Sequence, residues 1–138
     1  MNYKLFNYLP DDAKQIRETV FIKEQGFENE YDSIDETAHH IVLYVGDEAV
    51  GTARFFTEDD GNSYHLGRLA VSKEHRGKNY GKIIVDAVEK ECVKLGGKKI
   101  ELSAQLQAKA FYSKCGYIET GDVYLDEHCP HIMMYKNL

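Results

Sequence analysis

The sequence has no tryptophan, two prolines and three cysteines in 138 residues, and each scarcity excludes something. Pro10 and Pro130 lie near the two ends, so no Pro-rich linker divides the chain, and a single domain over residues 1–138 is expected. Cys92, Cys115 and Cys129 are odd in number and form no CxxC pair, which argues against a disulfide framework, a zinc ribbon or a redox couple. No apolar run approaches the roughly 20 residues of a membrane-spanning helix. The start, Met1-Asn2-Tyr3-Lys4-Leu5, lacks the apolar stretch and small-residue cleavage site of a secretory signal. A cytoplasmic protein that begins at Met1 and has no membrane partner is expected. Positive charge is short as well: 17 Lys and Arg against 23 Asp and Glu give a formal charge of −6, the wrong sign for a general nucleic-acid binder.

What is present is a regular alternation of element signals. Asn2 to Leu9 reads as a strand, and Pro10-Asp11-Asp12 caps a helix carried by Ala13, Ile16 and Val20 and stopped by Gly26. Residues 27–36 read as an irregular acidic loop, long enough to suggest a functional segment. His40 to Val45, Val50 to Phe56 and Tyr64 to Val71 form a three-strand meander with turns at Gly46 and Gly61. Ile84, Ala87, Val88, Cys92 and Leu95 share one helix face. Lys98 to Ser103 returns as a strand, Gln105 to Lys114 as a short helix, and Tyr117 to Thr120 and Ile132 to Tyr135 as closing strands. The order β α β β β α β α β β predicts a mixed α/β sheet with one parallel crossover from Leu69 to Ser103.

The segment Leu69-Ala70-Val71-Ser72-Lys73-Glu74-His75-Arg76-Gly77-Lys78-Asn79-Tyr80-Gly81-Lys82 joins a strand to the N-terminus of the strongest helix. A Gly-bearing turn there can aim successive N–H groups and the helix dipole at a phosphate. Arg76, Lys78 and Lys82 concentrate positive charge in an acidic chain. The alternative is a tight connection whose glycines serve geometry alone. The loop has no GK[ST] ending, so it is not a Walker loop. It follows a meander, so it is not a dinucleotide-binding fingerprint either.

Arg76-Gly77-Lys78-Asn79-Tyr80-Gly81 resembles the (Gln/Arg)-x-x-Gly-x-(Gly/Ala) acyl-CoA loop of the GCN5-related N-acetyltransferase (GNAT) superfamily. Ala108-Lys109-Ala110-Phe111-Tyr112-Ser113-Lys114-Cys115-Gly116-Tyr117, further along the chain, resembles the same superfamily's Tyr-bearing helix. Val20-Phe21-Ile22-Lys23-Glu24-Gln25, Ser103-Ala104-Gln105 and Cys129-Pro130-His131-Ile132-Met133-Met134 resemble its ElaA-like branch. Asn79 departs from the pattern by standing at the loop's first glycine, yet Asn tolerates the left-handed conformation better than other non-glycine residues.

The resemblance implies a mostly antiparallel twisted sheet flanked by helices, opened where the strands ending at Ser72 and Ser103 splay apart. It implies acetyl-CoA as cosubstrate and no metal. Leu69, Ala70 and Val71 would hold the pantetheine arm, and the Val71 N–H would polarise the thioester carbonyl. Arg76, Gly77, Lys78, Asn79, Tyr80, Gly81 and Lys82 would cradle the pyrophosphate. Gln105 and Phe111 would contact the cofactor, and Tyr112 would protonate the departing thiolate as well as touch the cofactor. A homodimer through the final strands is also in keeping with the family.

The acceptor would be the primary amine of a small molecule or of a lysine side chain. An alkylammonium near pKa 10.4 costs about 4.6 kcal/mol to deprotonate at neutral pH, so a base is needed. Glu24, Asp35, His40, Glu101 and His131 are the candidates, with Glu24 foremost. Glu24, Gln25, His40 and His131 are the expected acceptor-binding residues. His39 and His40 open a strand and point to opposite faces, so at most one of them can line a pocket. His128 and His131 lack the companion ligands of a metal site, and Cys129 lacks the partners of a Cys–His nucleophile. The acidic run Glu28 to Glu36 favours a cationic acceptor on charge grounds. A non-catalytic acyl-CoA sensor is the competing function, with Asn79 the residue that leans toward it.

Overall fold

The computed structural model describes all residues from Met1 to Leu138. Its strands are β1 (Asn2–Phe6), β2 (His39–Val45), β3 (Glu48–Phe56), β4 (Ser63–Val71), β5 (Lys99–Gln105), β6 (Ile118–Asp126) and β7 (Cys129–Asn137). They form one sheet in the order β1-β2-β3-β4-β5-β7-β6. Only β4 and β5 pair in parallel, as a crossover through a helix requires. That helix is α2 (Tyr80–Lys94); α1 (Asp11–Arg17) and α3 (Lys109–Lys114) complete the set. The mixed, mostly antiparallel sheet flanked by helices matches the architecture expected from the sequence.

The main core lies between α2 and the sheet, where Ile84, Val85, Val88 and Cys92 meet Ile41, Leu43, Phe55, Ile100 and Met134. Gly51 lets the helix come close: a Cβ there would stand 2.6 Å from Ile84 Cδ1 and 3.0 Å from the Ala70 carbonyl oxygen. A smaller cluster joins Ile16, Val20, Phe21 and Phe27 to Ala70 and Cys129. Strand alternation puts Ala70 on the opposite face from Leu69 and Val71, so α1 covers the other side of the sheet. All three cysteines are buried thiols, and burial pushes Cys92 up to about 12.

Four elements differ from expectation. The first helix changes pitch after Arg17 and runs from Glu18 to Glu24 as a π-helix, closed by Gln25 N–H to Val20 O at 3.2 Å. Hydrophobic spacing shows that a helix is present but does not distinguish an i→i+4 from an i→i+5 ladder. The short helix begins as a 3-10 turn at Leu106–Ala108, with Gln105 still in β5. β6 and β7 are longer than expected because their hairpin turns at Glu127-His128, where Glu127 takes the left-handed φ of 55°.

The fourth difference is the acidic loop, which is neither irregular throughout nor simply solvated. Ser33–Glu36 form a 3-10 turn capped by Asp32, and the carboxylates of Glu30 and Asp35 are buried. Arg17, only 1% exposed, forks onto both oxygens of Asp35 at 2.8 and 3.0 Å and donates through Nε to Glu30 at 2.5 Å. Arg54 of β3 forks onto Asp32 at 2.7 and 3.1 Å and reaches Asp35 at 2.9 Å. Arg68 of β4 pairs with Glu30 at 3.1 Å and Asp32 at 3.5 Å. Three arginines therefore neutralise three of the loop's carboxylates, which removes most of the negative field the sequence suggested.

Burial raises the Asp35 carboxyl, but hydrogen bonds and charge from Arg17 and Arg54 outweigh it and bring it down to about 2. A folded-state value below the unfolded one stabilises the fold above the unfolded pKa, and that gain is lost as pH falls through the folded pKa. Asp35 therefore contributes about 2 kcal/mol that fades between roughly pH 4 and pH 2. Asp35→Asn leaves two buried guanidinium groups short of a partner and should cost about 3 kcal/mol in denaturant unfolding at pH 7, with a flatter stability curve below pH 4. An unchanged midpoint would remove the network from its structural role. Gly51→Ala should lower stability by roughly 1–3 kcal/mol through overpacking against Ile84 and Ala70, again read from the unfolding midpoint.

Candidate active site

The cleft begins where a strand pair fails. Parallel pairing of β4 with β5 runs only from Ser63 opposite Lys99 to Leu66 opposite Leu102. Beyond it, Gly67 opposes Arg54 and Ala70 opposes Thr52 on β3, so Arg68 and Leu69 together face Ala53. This is a β-bulge, with Arg68 at a φ of 52°, and a bulge bends its strand out of the ladder. β5 instead stays paired with β7 as far as Gln105 opposite His131. The gap is a cleft of about 630 Å³.

One wall is built for an extended, anionic group. Ser72 N–H bonds Val50 O at 3.0 Å, so ladder alternation turns the N–H and C=O of Val71 away from β3 and toward the gap. The amides of Gly77, Lys78 and Asn79 find no backbone acceptor, and those of Tyr80, Gly81 and Lys82 open a helix, where no intrahelical partner exists. The loop thus presents six successive free N–H groups beside the helix dipole. Gly77 and Asn79 take φ of 80° and 68° to make this turn, so Asn79 adopts the conformation a glycine would. A Cβ on Gly81 would lie 3.2 Å from the Phe111 ring; glycine there lets α3 close against the loop. Leu69, Val71, Arg76, Gly81, Gln105, Phe111 and Tyr112 all line the cleft. Ala70 faces the α1 side, so only its backbone is available. The residues present therefore fit a pyrophosphate joined to a narrow arm that pairs like a strand.

The loop's positive charge is partly spent within the chain. Arg76 grips Glu24 at 3.0 and 3.1 Å and also donates from Nε to Val71 O at 3.0 Å, while Lys82 pairs with Asp86 at 2.9 Å. Tyr112 is 9% exposed, and its hydroxyl has no side-chain partner although Phe111 and Tyr117 pack on its ring at 5.1 and 6.0 Å. Burial raises its pKa, so the phenol keeps its proton at any physiological pH.

The other wall comes from the π-helix, the loop after it and the final hairpin. Phe21, Gln25, Phe27, Asn29, Glu30, Arg68, Asp126, Glu127 and His131 line it. Gln105 Nε2 donates to Gln25 Oε1 at 2.8 Å, which ties the two walls together. Glu127 accepts the amides of Glu28 and Asn29 at 2.9 and 3.0 Å. The structure brings Gln25 and His131 to the cleft but not the other two expected acceptor residues. His40 is fully buried beneath the Asp35 turn, with Nε2 against Asp35 O at 3.0 Å, and does not line the cleft. Glu24 is held by Arg76 and does not line the cavity, so its placement lends no support to the expected role as base. Arg68, Phe27, Asn29, Asp126 and Glu127 were not anticipated; the bulge and the hairpin turn that aim them leave no periodic signal. No three His, Cys, Asp or Glu side chains converge into a metal cage.

Residues 8–138 match the family model described as "Acetyltransferase (GNAT) domain". The uncharacterized N-acetyltransferase YjcF of Bacillus subtilis is 39% identical over 129 residues, 91% of each chain. Protein ElaA of Escherichia coli is 31% identical over 90% of this chain and 84% of its own. The ElaA crystal structure superposes with a TM-score of 0.87 at 27% identity, covering 98% of both chains. At 20% identity, an aminoglycoside 6'-N-acetyltransferase complexed with coenzyme A shares the fold, with a TM-score of 0.78 over 99% of this chain and 97% of its own. An open strand pair, a loop of free amides at a helix start and a buried tyrosine on the third helix are thus joined by homology over nearly the whole length: the chain belongs to the GNAT acetyltransferase family.

Proposed function

We propose that the protein transfers an acetyl group from acetyl-CoA directly to the primary amine of a small molecule, with Tyr112 as general acid. The observation that carries this reading is the Tyr112 hydroxyl, unpaired on a nearly buried ring in a cleft whose adjoining wall offers free amides to a pyrophosphate. Homology to named N-acetyltransferases supplies the reaction class, and the coenzyme A complex of a protein with the same fold supports the cosubstrate. The aminoglycoside that names that neighbour is a small-molecule amine, which favours this acceptor type over a protein lysine.

Acetyl-CoA would bring the activated acyl group. Arg76 and the amides from Gly77 to Lys82 bind its phosphates, and the Val71 N–H faces the oxygen on which negative charge develops during attack. Tyr112 then gives its proton to the departing sulfur. In water, a phenol near 10 protonating a thiolate near 8.5 is uphill by about 2 kcal/mol. Burial raises the phenol as well, so the transfer requires a cleft that penalises the thiolate more than the phenolate. Asn79, the feature that leaned toward a non-catalytic sensor, keeps the loop geometry, so no observation favours that alternative.

Tyr112→Phe should lower kcat for thiol release by about 10²- to 10³-fold while the acetyl-CoA dissociation constant from calorimetry stays within a factor of about two; equal loss of binding would assign Tyr112 to the cofactor alone. Arg76→Ala should raise the acetyl-CoA KM by roughly tenfold, about 1.4 kcal/mol, with kcat little changed. An unaltered KM would place the phosphates elsewhere.

A further inference from the structure

We infer that His131 is the proton acceptor for the incoming amine, an assignment that rests on the acyl-transfer reading above. His131 lies on β7, opposite Gln105 of β5 and Tyr124 of β6, and is 5% exposed. Its Nδ1 stands 2.8 Å from the Cys129 carbonyl oxygen. A carbonyl can only accept, so Nδ1 carries the hydrogen and Nε2 carries the lone pair. No group in the chain hydrogen-bonds Nε2, yet it is not among the unpaired polar atoms sealed from solvent. Because the rest of the residue is buried and it lines the cleft, the opening at Nε2 is the cleft itself.

The ring is also held in orientation. Tyr124 stacks on it at 6.1 Å and 26°, and Phe27 meets it edge-on at 6.4 Å and 67°. A backbone carbonyl thus sets the tautomer and two aromatic rings set the plane, leaving one basic nitrogen toward the space where an acceptor enters.

The other candidates named from the sequence, and the buried Glu30, are occupied or misplaced. Glu24 is bound to Arg76, Glu30 and Asp35 are bound to arginines, His40 has its Nε2 against the Asp35 carbonyl oxygen and does not line the cleft, and Glu101 pairs with Lys99 at 2.7 Å. The titratable or charged groups around His131 are Tyr124 and Asp126 from β6, Glu127 and His128 in the turn, Cys129 on β7, and Glu30 and Arg68 across the cleft. Glu127 is committed to two loop amides, whose hydrogen bonds hold its carboxyl below the usual range.

The protons balance. The acceptor enters as an ammonium and loses two: the first goes to His131 Nε2, which returns it to water through the open cleft. The second is shed as the C–N bond forms and the C–S bond breaks, and it restores the proton that Tyr112 gives to sulfur. The sum is an amide, a thiol and one released proton.

The test uses the full chain with acetyl-CoA and putrescine, spermidine and glucosamine as probe acceptors, following thiol release from pH 6 to 9.5. His131→Asn should lower kcat/KM about 100-fold at pH 7, and the deficit should shrink at least tenfold by pH 9.5, where bulk water supplies more free amine. The acetyl-CoA dissociation constant should not change. A deficit constant across pH, or none, overturns the base assignment while leaving the acyl-transfer reading intact. A wild type that binds acetyl-CoA but acetylates no probe overturns both. Should the variant fail to fold, nitrogen-15 imidazole spectra of the wild type decide the point: hydrogen on Nδ1 is expected, and hydrogen on Nε2 overturns the proposal.

Discussion

The buried ion network of Arg17, Arg54 and Arg68 with Glu30, Asp32 and Asp35 is the constraint on which the cleft depends. Its members come from α1, two strands and the loop between the π-helix and β2. A buried charge without its partner costs several kcal/mol, so none of these segments can shift without exposing or orphaning a charge. Arg68 ties this network to the cleft, because it sits in the bulge that ends β4–β5 pairing. Its two carboxylate contacts hold the bulged strand toward the loop, and the gap left behind is the cleft.

This arrangement changes how the charge of the protein is understood. The acidic loop and the basic turn look, as sequence, like two complementary electrostatic surfaces. In three dimensions the loop carboxylates face arginines, and Arg76 of the turn faces Glu24. What remains for an anionic ligand is mainly the backbone: six amide groups with no acceptor, whose direction is set by left-handed residues at positions 77 and 79. Backbone dipoles are fixed in place and need no reorganisation, which suits both phosphate binding and stabilisation of a developing oxyanion.

The residues easiest to find in the sequence were those whose function depends on local geometry. The loop from Arg76 to Lys82 and the helix bearing Phe111 and Tyr112 are contiguous, and their spacing survives as written. His40 illustrates the opposite case. Alternation shows that only one of two neighbouring histidines can reach a given face, but it does not show that the loop carbonyl of Asp35 takes up His40 there. Glu24 is similar, since nothing near it in the chain announces a partner 52 positions away. Arg68 and Glu127 each occupy a backbone conformation that a non-glycine residue seldom adopts, and no hydrophobic period records it.

By itself, the sequence determined the element order, the parallel crossover, the glycine-bearing turn at the start of α2 and the short helix that carries Tyr112. Each of these follows from short-range periodicity, capping and turn chemistry, which act within a few residues. Only the tertiary structure decided which carboxylates are neutralised, where β4 leaves β5, and which histidine opens into the cleft. Those outcomes rest on ion pairs and strand registers between residues far apart in the chain, and burial decides which of them persist.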